Sequence, residues 1–373
     1  MRLHFYLEHF PPSGSPLVGG TAKAVHGLAS ALADEGNEIV VLAEHERRQT
    51  AHHAGYRVES FPRDRWGRQP EMRTYLAEQP AEGLLVLNGM FSPRLGTLAR
   101  WCRRMGRPYV VAPHTPYAPH VFRRGWLKKR AFWHLAERPT LQGATAIQVL
   151  APLQGEYLET LGITTPRIEV PNGFRAADVC PAQSLPDREP SLFFFGRIDA
   201  FTKGLDVLVE ACERVPQVSL TLQGPDWGDA DALRKQGMAL PGRFQVLDPV
   251  YDQPAAQVMS GYHVFCCPSR YEGFGLSVLE AMIAERPVLV SDQAGIAPHV
   301  RQANCGVVVS PDVDSIVAGL KTLLARQAEW AAMGERGRTY AERNLNWPAI
   351  AREAQAAYAR VLGISANEAA ASP

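Results

Sequence analysis

Apolar residues come along this chain in two kinds of run. Short unbroken stretches end at glycine-bearing or polar turns and read as strands buried on both faces. Longer stretches with an apolar residue at every third or fourth position read as helices with one face in a core. Residues 1–8 predict a first strand, followed by the Pro/Gly/Ser-rich loop HFPPSGSPLVGG. Gly19 and Gly20 then open the helix TAKAVHGLASALADEG, which Gly36 stops, and NEIVVLAE reads as the next strand. This βαβ unit with its long first loop points to a doubly wound α/β domain. The loop holds no GxGxxG, so a dinucleotide fingerprint is not supported.

The alternation continues. Strands are predicted at 84–88 and 108–112 with a helix near 94–105 between them, then a strand at 145–149, a helix near 152–161 and a short strand at 167–170. The run PNGF marks a turn, and the Pro-rich stretch PAQSLPDREP beyond it reads as a linker. From SLFFFGRID onward the βα pattern restarts. It runs through helix LDVLVEACERV, strand VSLTLQG, helix 229–239, strand RFQVLD, helix 253–261, strand HVFCCP, a helix after EGFG, and strands PVLVSD and GVVVS. Helices at about 312–326, 328–343 and 347–362 follow, with a disordered tail expected beyond them. The expected organisation is an N-terminal domain at 1–173, a second domain at 174–346, a crossing helix at 347–363 that returns to the first domain, and a tail at 364–373.

Length agrees with two domains: 373 residues exceed what one core ordinarily serves. A hydrophobic share of 46% and a charged share of 21% suit a globular protein with a full interior. The net charge of +1 hides an asymmetry. Residues 1–175 carry 22 Lys and Arg against 15 Asp and Glu, and residues 176–373 carry 17 against 23. A basic first half suggests an anionic surface or substrate there, although solvated faces alone produce such a split.

The six cysteines have no metal-ligand spacing and read as reduced core residues of a cytoplasmic protein. MRLHFYLEHF lacks the apolar stretch and cleavage site of a signal peptide, and no apolar run is long enough to span a bilayer. Residues 121–138, VFRRGWLKKRAFWHLAER, interleave basic residues with Trp126, Phe132 and Trp133. A helix with its aromatics on the sheet and its cations in water is the plainer reading, and docking on anionic headgroups is the other.

Candidate chemistry gathers where strands meet helices. In 263–284, HVFCCPSRYEGFGLSVLEAMIA, a buried strand runs into a turn with Gly273 and Gly275 and then into a helix start. Unpaired N–H groups and the helix dipole make such a start an anion site. Glu272 in the turn and Glu280 in the helix are odd company for phosphate unless they hold hydroxyls, so a ligand with both, such as a nucleotide sugar, is indicated. Gly196-Arg197 and Lys203-Gly204 place two cations at another strand-to-helix turn, where a diphosphate would fit. Gly224 ends strand VSLTLQG, and His114 stands at the C-terminal end of strand 108–112, the edge where open α/β sheets bind ligands. Singly, each has a bland explanation: a solvated cation, a turn glycine, a loop histidine.

Together these residues resemble the group 1 family (family four) of retaining glycosyltransferases with the GT-B fold. The matching elements are GG before a long helix (19–36), PHT (113–115), VPNG (170–173), FGRID…KGLD (195–206), PSRYEGFGLSVLEAM (268–282) and PVLVSD (287–292). The resemblance implies α/β architecture of two Rossmann-like, doubly wound domains facing a central cleft, with the donor held mainly by the second and the acceptor by the first. It implies that Arg197 and Lys203 hold the donor diphosphate, that Glu280 binds the ribose hydroxyls and that Glu272 approaches the donor sugar. Backbone at Phe274, Gly275 and Leu276 would meet that sugar, His114 would contact it near the reacting carbon, and Gly20 would lie close to the diphosphate or sugar. Gly19, Gly196 and Gly224 count with the donor-binding residues.

Cofactors are expected to be none, the nucleotide-diphosphate sugar being the donor substrate, and no DxD-type cluster suggests a bound metal. The implied acceptor is a glycan or a lipid-linked glycan; nucleic acid is not expected as a partner. A catalytically silent GT-B binding or scaffold protein and a sugar-nucleotide epimerase of the same fold remain as alternatives. A periplasmic sugar-binding protein is disfavoured by the missing signal peptide. The chain also departs from the family at Asp248, where relatives usually carry glycine, at Arg286, where a small residue or glycine is usual, at Asn88, where several have histidine, and at Arg175, where many have aspartate.

Overall fold

Apolar strand sequences here become parallel strands at the centres of two sheets. A computed structural model describes residues 1–11, 19–53, 55–64, 67–80, 82–122 and 126–364. The expected tail from 365 on, Arg123 to Gly125, and residues 12–18 of the first loop lie outside these. Contacts divide the chain into two units, Met1–Gly173 with Trp347–Pro373, and Phe174–Asn346.

The first unit contains β1 (Arg2–Tyr6), β2 (Glu38–His45), β3 (Gln49–His53), β4 (Tyr56–Pro62), β5 (Leu84–Asn88), β6 (Tyr109–Ala112), β7 (Ala146–Val149) and β8 (Arg167–Glu169). They form one sheet in the order β3-β4-β2-β1-β5-β6-β7-β8, parallel except for the β3–β4 pair. Cores lie on both faces. One includes Leu3, Phe5, Val41 and Val86 under helices Gly20–Asp34 and Trp347–Leu362; the other includes Tyr6, Leu42, Leu87 and Val111. Trp347 seats against Gly27 so closely that a Cβ there would lie 2.2 Å from the indole.

The second unit contains β9 (Ser191–Phe195), β10 (Ser219–Gln223), β11 (Phe244–Leu247), β12 (Val264–Cys267), β13 (Val288–Ser291) and β14 (Gly306–Val309). Its all-parallel order, β11-β10-β9-β12-β13-β14, is doubly wound, with the order reversing between β9 and β12. Ligands of such sheets bind outside the C-terminal strand ends at that switch point.

Several expectations change. The sequence reading passes over β3, β4 and helix Pro70–Glu78. β3 is a half-exposed edge strand without an apolar run, and β4 carries Glu59, buried and paired to Arg48 and Arg57. The short helix Ala297–Ala303 is also unanticipated. The segment 121–138 is not one helix: Trp126–Phe132 passes into a π-helical turn, Trp133–Glu137, before Arg138–Gln142. Of its aromatics Trp133 packs inward, meeting Tyr117 and Phe122 edge to face.

The Pro-rich stretch 181–190 is no free linker, since it is fastened to the second unit. Arg286 donates to the Gln183 carbonyl (2.7 Å), Ser260 donates to Gln183 Oε1 (2.8 Å), and His263 bonds the Pro186 carbonyl (2.9 Å). Arg286 is itself buried, its guanidinium kept in by that carbonyl where a small side chain was expected.

Candidate functional site

In the second unit, two glycines let neighbouring turns touch. Gly224 ends β10 at φ 151°, and a Cβ there would fall 1.9 Å from the Gly196 carbonyl oxygen. Gly204, at φ 65°, lies against the Pro268 carbonyl, where a Cβ would approach to 2.2 Å. No side chain fits either place, so the turn after β9 is pressed between those after β10 and β12.

Arg197 follows Gly196 and lays its guanidinium over the exposed Trp227 ring at 4.4 Å. A one-turn helix, Ala200–Lys203, comes next, capped by Asp199, whose Oδ1 accepts from the Thr202 N–H at 2.9 Å. It presents Lys203 to the third turn, where Nζ donates to Glu272 Oε2 at 2.5 Å. Burial pulls the Lys203 ammonium downward, but the adjoining Glu272 carboxylate outweighs it, and the net shift is upward.

The Glu272 loop is held from its other side. The Glu272 N–H donates to the Gln293 carbonyl at 3.3 Å and the Ile296 N–H to the Phe274 carbonyl at 2.8 Å. Phe274 is buried against His299, and Gly275, at φ 108°, opens helix Leu276–Ile283. The first N–H groups of that helix have no partner within it, which makes Gly275 and Leu276 an anion-facing start. Glu280 lies half-buried farther along the same helix. Arg197, Lys203, Glu272, Gly196, Gly224, Phe274, Gly275 and Leu276 thus all stand at or just beyond the C-terminal edge of one sheet, with Glu280 farther into the helix that leaves it.

The other candidates belong to the first unit. Gly19, at φ 92°, caps helix Gly20–Asp34, and a Cβ there would meet none of the described residues within 4 Å. His114 follows β6 with φ 59°, and its Nε2 lies 2.7 Å from Asn88 Oδ1 at the end of β5. Asn88 Nδ2 donates to the carbonyls of Tyr6 (3.1 Å) and Val86 (3.2 Å), so its Oδ1 is the acceptor and His114 carries its proton on Nε2. Nδ1 is left as a buried acceptor without a partner among the described residues, beside a small cavity that Gln148 and Asn172 also line. Burial lowers the His114 pKa to about 4.

Two residues of this region escaped the sequence reading. Arg270 and Asp206 form a two-pronged pair, Nη1 to Oδ1 at 2.7 Å and Nη2 to Oδ2 at 2.9 Å. Both stand inside the motifs KGLD and PSRYEGFG, but nothing in linear spacing pairs them. Among the described residues, no group of three or more His, Cys, Asp or Glu side chains could hold a metal ion, and no helix is long and apolar enough to cross a membrane.

Comparison with known proteins matches residues 19–173 to the "Glycosyl transferase 4-like domain" and residues 189–326 to "Glycosyl transferases group 1". The chain belongs to the group 1 glycosyltransferases. One relative is the phosphatidyl-myo-inositol mannosyltransferase of Mycobacterium tuberculosis, 30% identical over 227 residues. That match spans 56% of this chain and 58% of the relative.

Among solved structures, sucrose-phosphate synthase from Thermosynechococcus elongatus aligns over 98% of this chain and 100% of its own, with a TM-score of 0.76 at 22% identity. HepE of Anabaena, solved in complex with UDP, aligns over 96% and 99% with a TM-score of 0.72 at 18% identity. At those identities the likeness establishes the fold, two Rossmann-like α/β domains of GT-B type. In this group 1 chain the family motifs are the turns just described: GR…KG forms the β9 turn and EGFG…E the β12 turn with its helix.

Proposed function

We propose that this chain transfers a sugar from a UDP- or GDP-linked donor to a glycan or lipid-linked acceptor, with retention of anomeric configuration. The observation that carries the reading is the meeting of Lys203 with Glu272 at the joined turns of β9 and β12, beside Arg197 and a helix start. As the bond from sugar to phosphate breaks, the nucleoside diphosphate gathers negative charge and the sugar becomes oxocarbenium-like. Fixed cations and N–H groups aimed at that charge lower the barrier, and losing one such donor typically costs about 3 kcal/mol.

In this reading Arg197 and Lys203 take the diphosphate, with Gly196 and Gly224 keeping the backbone close. Glu280 accepts from the ribose hydroxyls. Glu272 and the backbone at Phe274, Gly275 and Leu276 bind the transferred sugar. His114 meets that sugar through an acceptor nitrogen, and Gly19 and Gly20 lie near the donor at their helix start. The acceptor hydroxyl attacks the same face that the diphosphate leaves, and a phosphate oxygen takes its proton, so no protein nucleophile is required. The charge is met by the chain's own cations, and the reading includes metal-independent transfer.

Relatives named as mannosyltransferases and neighbours solved with UDP or UDP-glucose support a nucleotide-sugar donor. A relative named for phosphatidyl-myo-inositol, together with the basic first half, supports a lipid-linked or cell-surface glycan acceptor reached from the cytoplasm. A peripheral contact through 121–138 belongs to this reading. Leu127 and Leu135 are 66% and 77% exposed among Lys128, Arg130 and His134, which suits an anionic headgroup layer. Co-sedimentation with phosphatidylglycerol vesicles at low salt is the expected result, and failure to co-sediment removes the membrane from the account.

The main experiment is a panel of UDP- and GDP-sugars followed for transfer or slow hydrolysis, with the product anomer read by NMR and EDTA present. Turnover of one donor is expected, with Arg197→Ala and Lys203→Ala each abolishing it while circular dichroism stays unchanged. Near-full activity in both variants overturns the site. Donor binding without turnover favours the scaffold alternative, and inversion at a sugar carbon without transfer favours the epimerase.

A further inference from the structure

Among the described residues, the hydrogen bonds of the Arg270 guanidinium all go to a single neighbouring segment. Nη1 donates to the Phe201 carbonyl (2.8 Å) and to Asp206 Oδ1 (2.7 Å), and Nη2 donates to Asp206 Oδ2 (2.9 Å). The Arg270 backbone N–H donates to the Thr202 carbonyl (3.0 Å), and the guanidinium plane lies 4.6 Å from the centre of the Phe201 ring. These partners all lie between residues 201 and 206, on either side of Lys203. Arg270 itself precedes Glu272 by two positions in the β12 turn.

An ordinary surface ion pair would join two side chains and leave each backbone free. Here the arginine grips two main-chain carbonyls of the opposite turn as well as a carboxylate in fork geometry, and its side chain is only 19% exposed. Close by, Gly204 rests on the Pro268 carbonyl and Lys203 reaches Glu272. The two turns therefore cannot slide past each other without breaking the Arg270 contacts.

We infer that Arg270, seated on Asp206, is a positioning residue that holds Lys203 against Glu272 and thereby sets where the ammonium stands for a donor diphosphate. The inference rests on the proposed role of Lys203 in binding that diphosphate. Lysine at 270 would keep the backbone bond to Thr202 but not serve otherwise, because an ammonium lacks the planar fork that meets both Asp206 oxygens and the Phe201 carbonyl together.

The test reads Lys203 directly in the full chain. With lysine labelled with carbon-13 at Cε, six lysines give six signals, and Lys203→Arg assigns the one of interest. Arg270→Gln and Asp206→Asn are each expected to shift the Lys203 titration downward, since loosening the Glu272 contact leaves burial to dominate. Each should also cut kcat/KM for the donor by about tenfold or more, the double variant falling no further than the singles, and Arg270→Lys should not restore it. If Arg270→Gln fails to fold, the isosteric Asp206→Asn carries the test. A Lys203 titration unchanged in the folded variants overturns the inference whatever their activity. A shifted titration with wild-type transfer leaves the clamp standing and counts instead against the diphosphate role of Lys203.

Discussion

At His114 one neighbour settles which nitrogen carries the proton. The sequence located this residue by its place at a strand end, but Asn88, 26 positions earlier, was noted only as a departure from relatives. Adjacent parallel strands bring the two together, a contact that linear spacing does not reveal. His114 and the buried His4 both have pKa values lowered to about 4, chiefly by burial. The unfolded chain takes up these protons near pH 6.5, while the folded chain resists until near pH 4. Between those limits the unfolded state binds more protons, so stability falls as pH drops. The loss is on the order of 2 kcal/mol per histidine. Denaturant midpoints for the first unit should therefore fall from pH 7 to pH 4.5, and His4→Gln should flatten the slope. A midpoint independent of pH over that range contradicts this account.

Among elements, the turns decide more than the strands. Strands buried on both faces were legible because continuous apolar runs between glycines have few other uses; β9, β10, β12 and β13 lie within or close to their predicted spans. β4 is missed because Arg57 and the ion-paired Glu59 interrupt its buried Tyr56, Val58 and Phe61, so no unbroken apolar run marks it. Glycine spacing marked the turns but not their contacts: the approach of Gly224 to Gly196 exists only once the strands are aligned side by side. A methyl group distinguishes such a contact from conformational strain alone. Gly224→Ala should destabilise the second unit by about 3 kcal/mol or more, because the clash is with backbone. Gly19→Ala, whose Cβ would meet none of the described residues within 4 Å, should cost only the positive-φ strain, about 1 kcal/mol. Thermal midpoints that fall equally for the two variants would show that the Gly224–Gly196 approach carries no special load.

On the scale of the molecule, the chain begins in one unit, builds a second, and returns to the first with helix Trp347–Leu362. The family motifs run nearly from end to end, which is why the α/β class and the kinship were readable without coordinates. The linker was misplaced for a physical reason: proline and polar residues look the same whether a segment floats or is bonded down, as 181–190 is through Gln183 and Pro186. The returning helix contributes Trp347, Ile350, Ala351, Ala354 and Tyr358 to a core whose other members come from the first unit's opening strands and helix. That order has a consequence during synthesis. At about 5–20 residues per second, a ribosome delivers Trp347 roughly 10–30 s after residue 173 has been made. For that interval the groove at Gly27 has no indole to fill it, while residues 174–346 can already complete a core of their own. The first unit is thus completed only after the second, and a growing chain must keep that open apolar face from other partners until helix Trp347–Leu362 arrives.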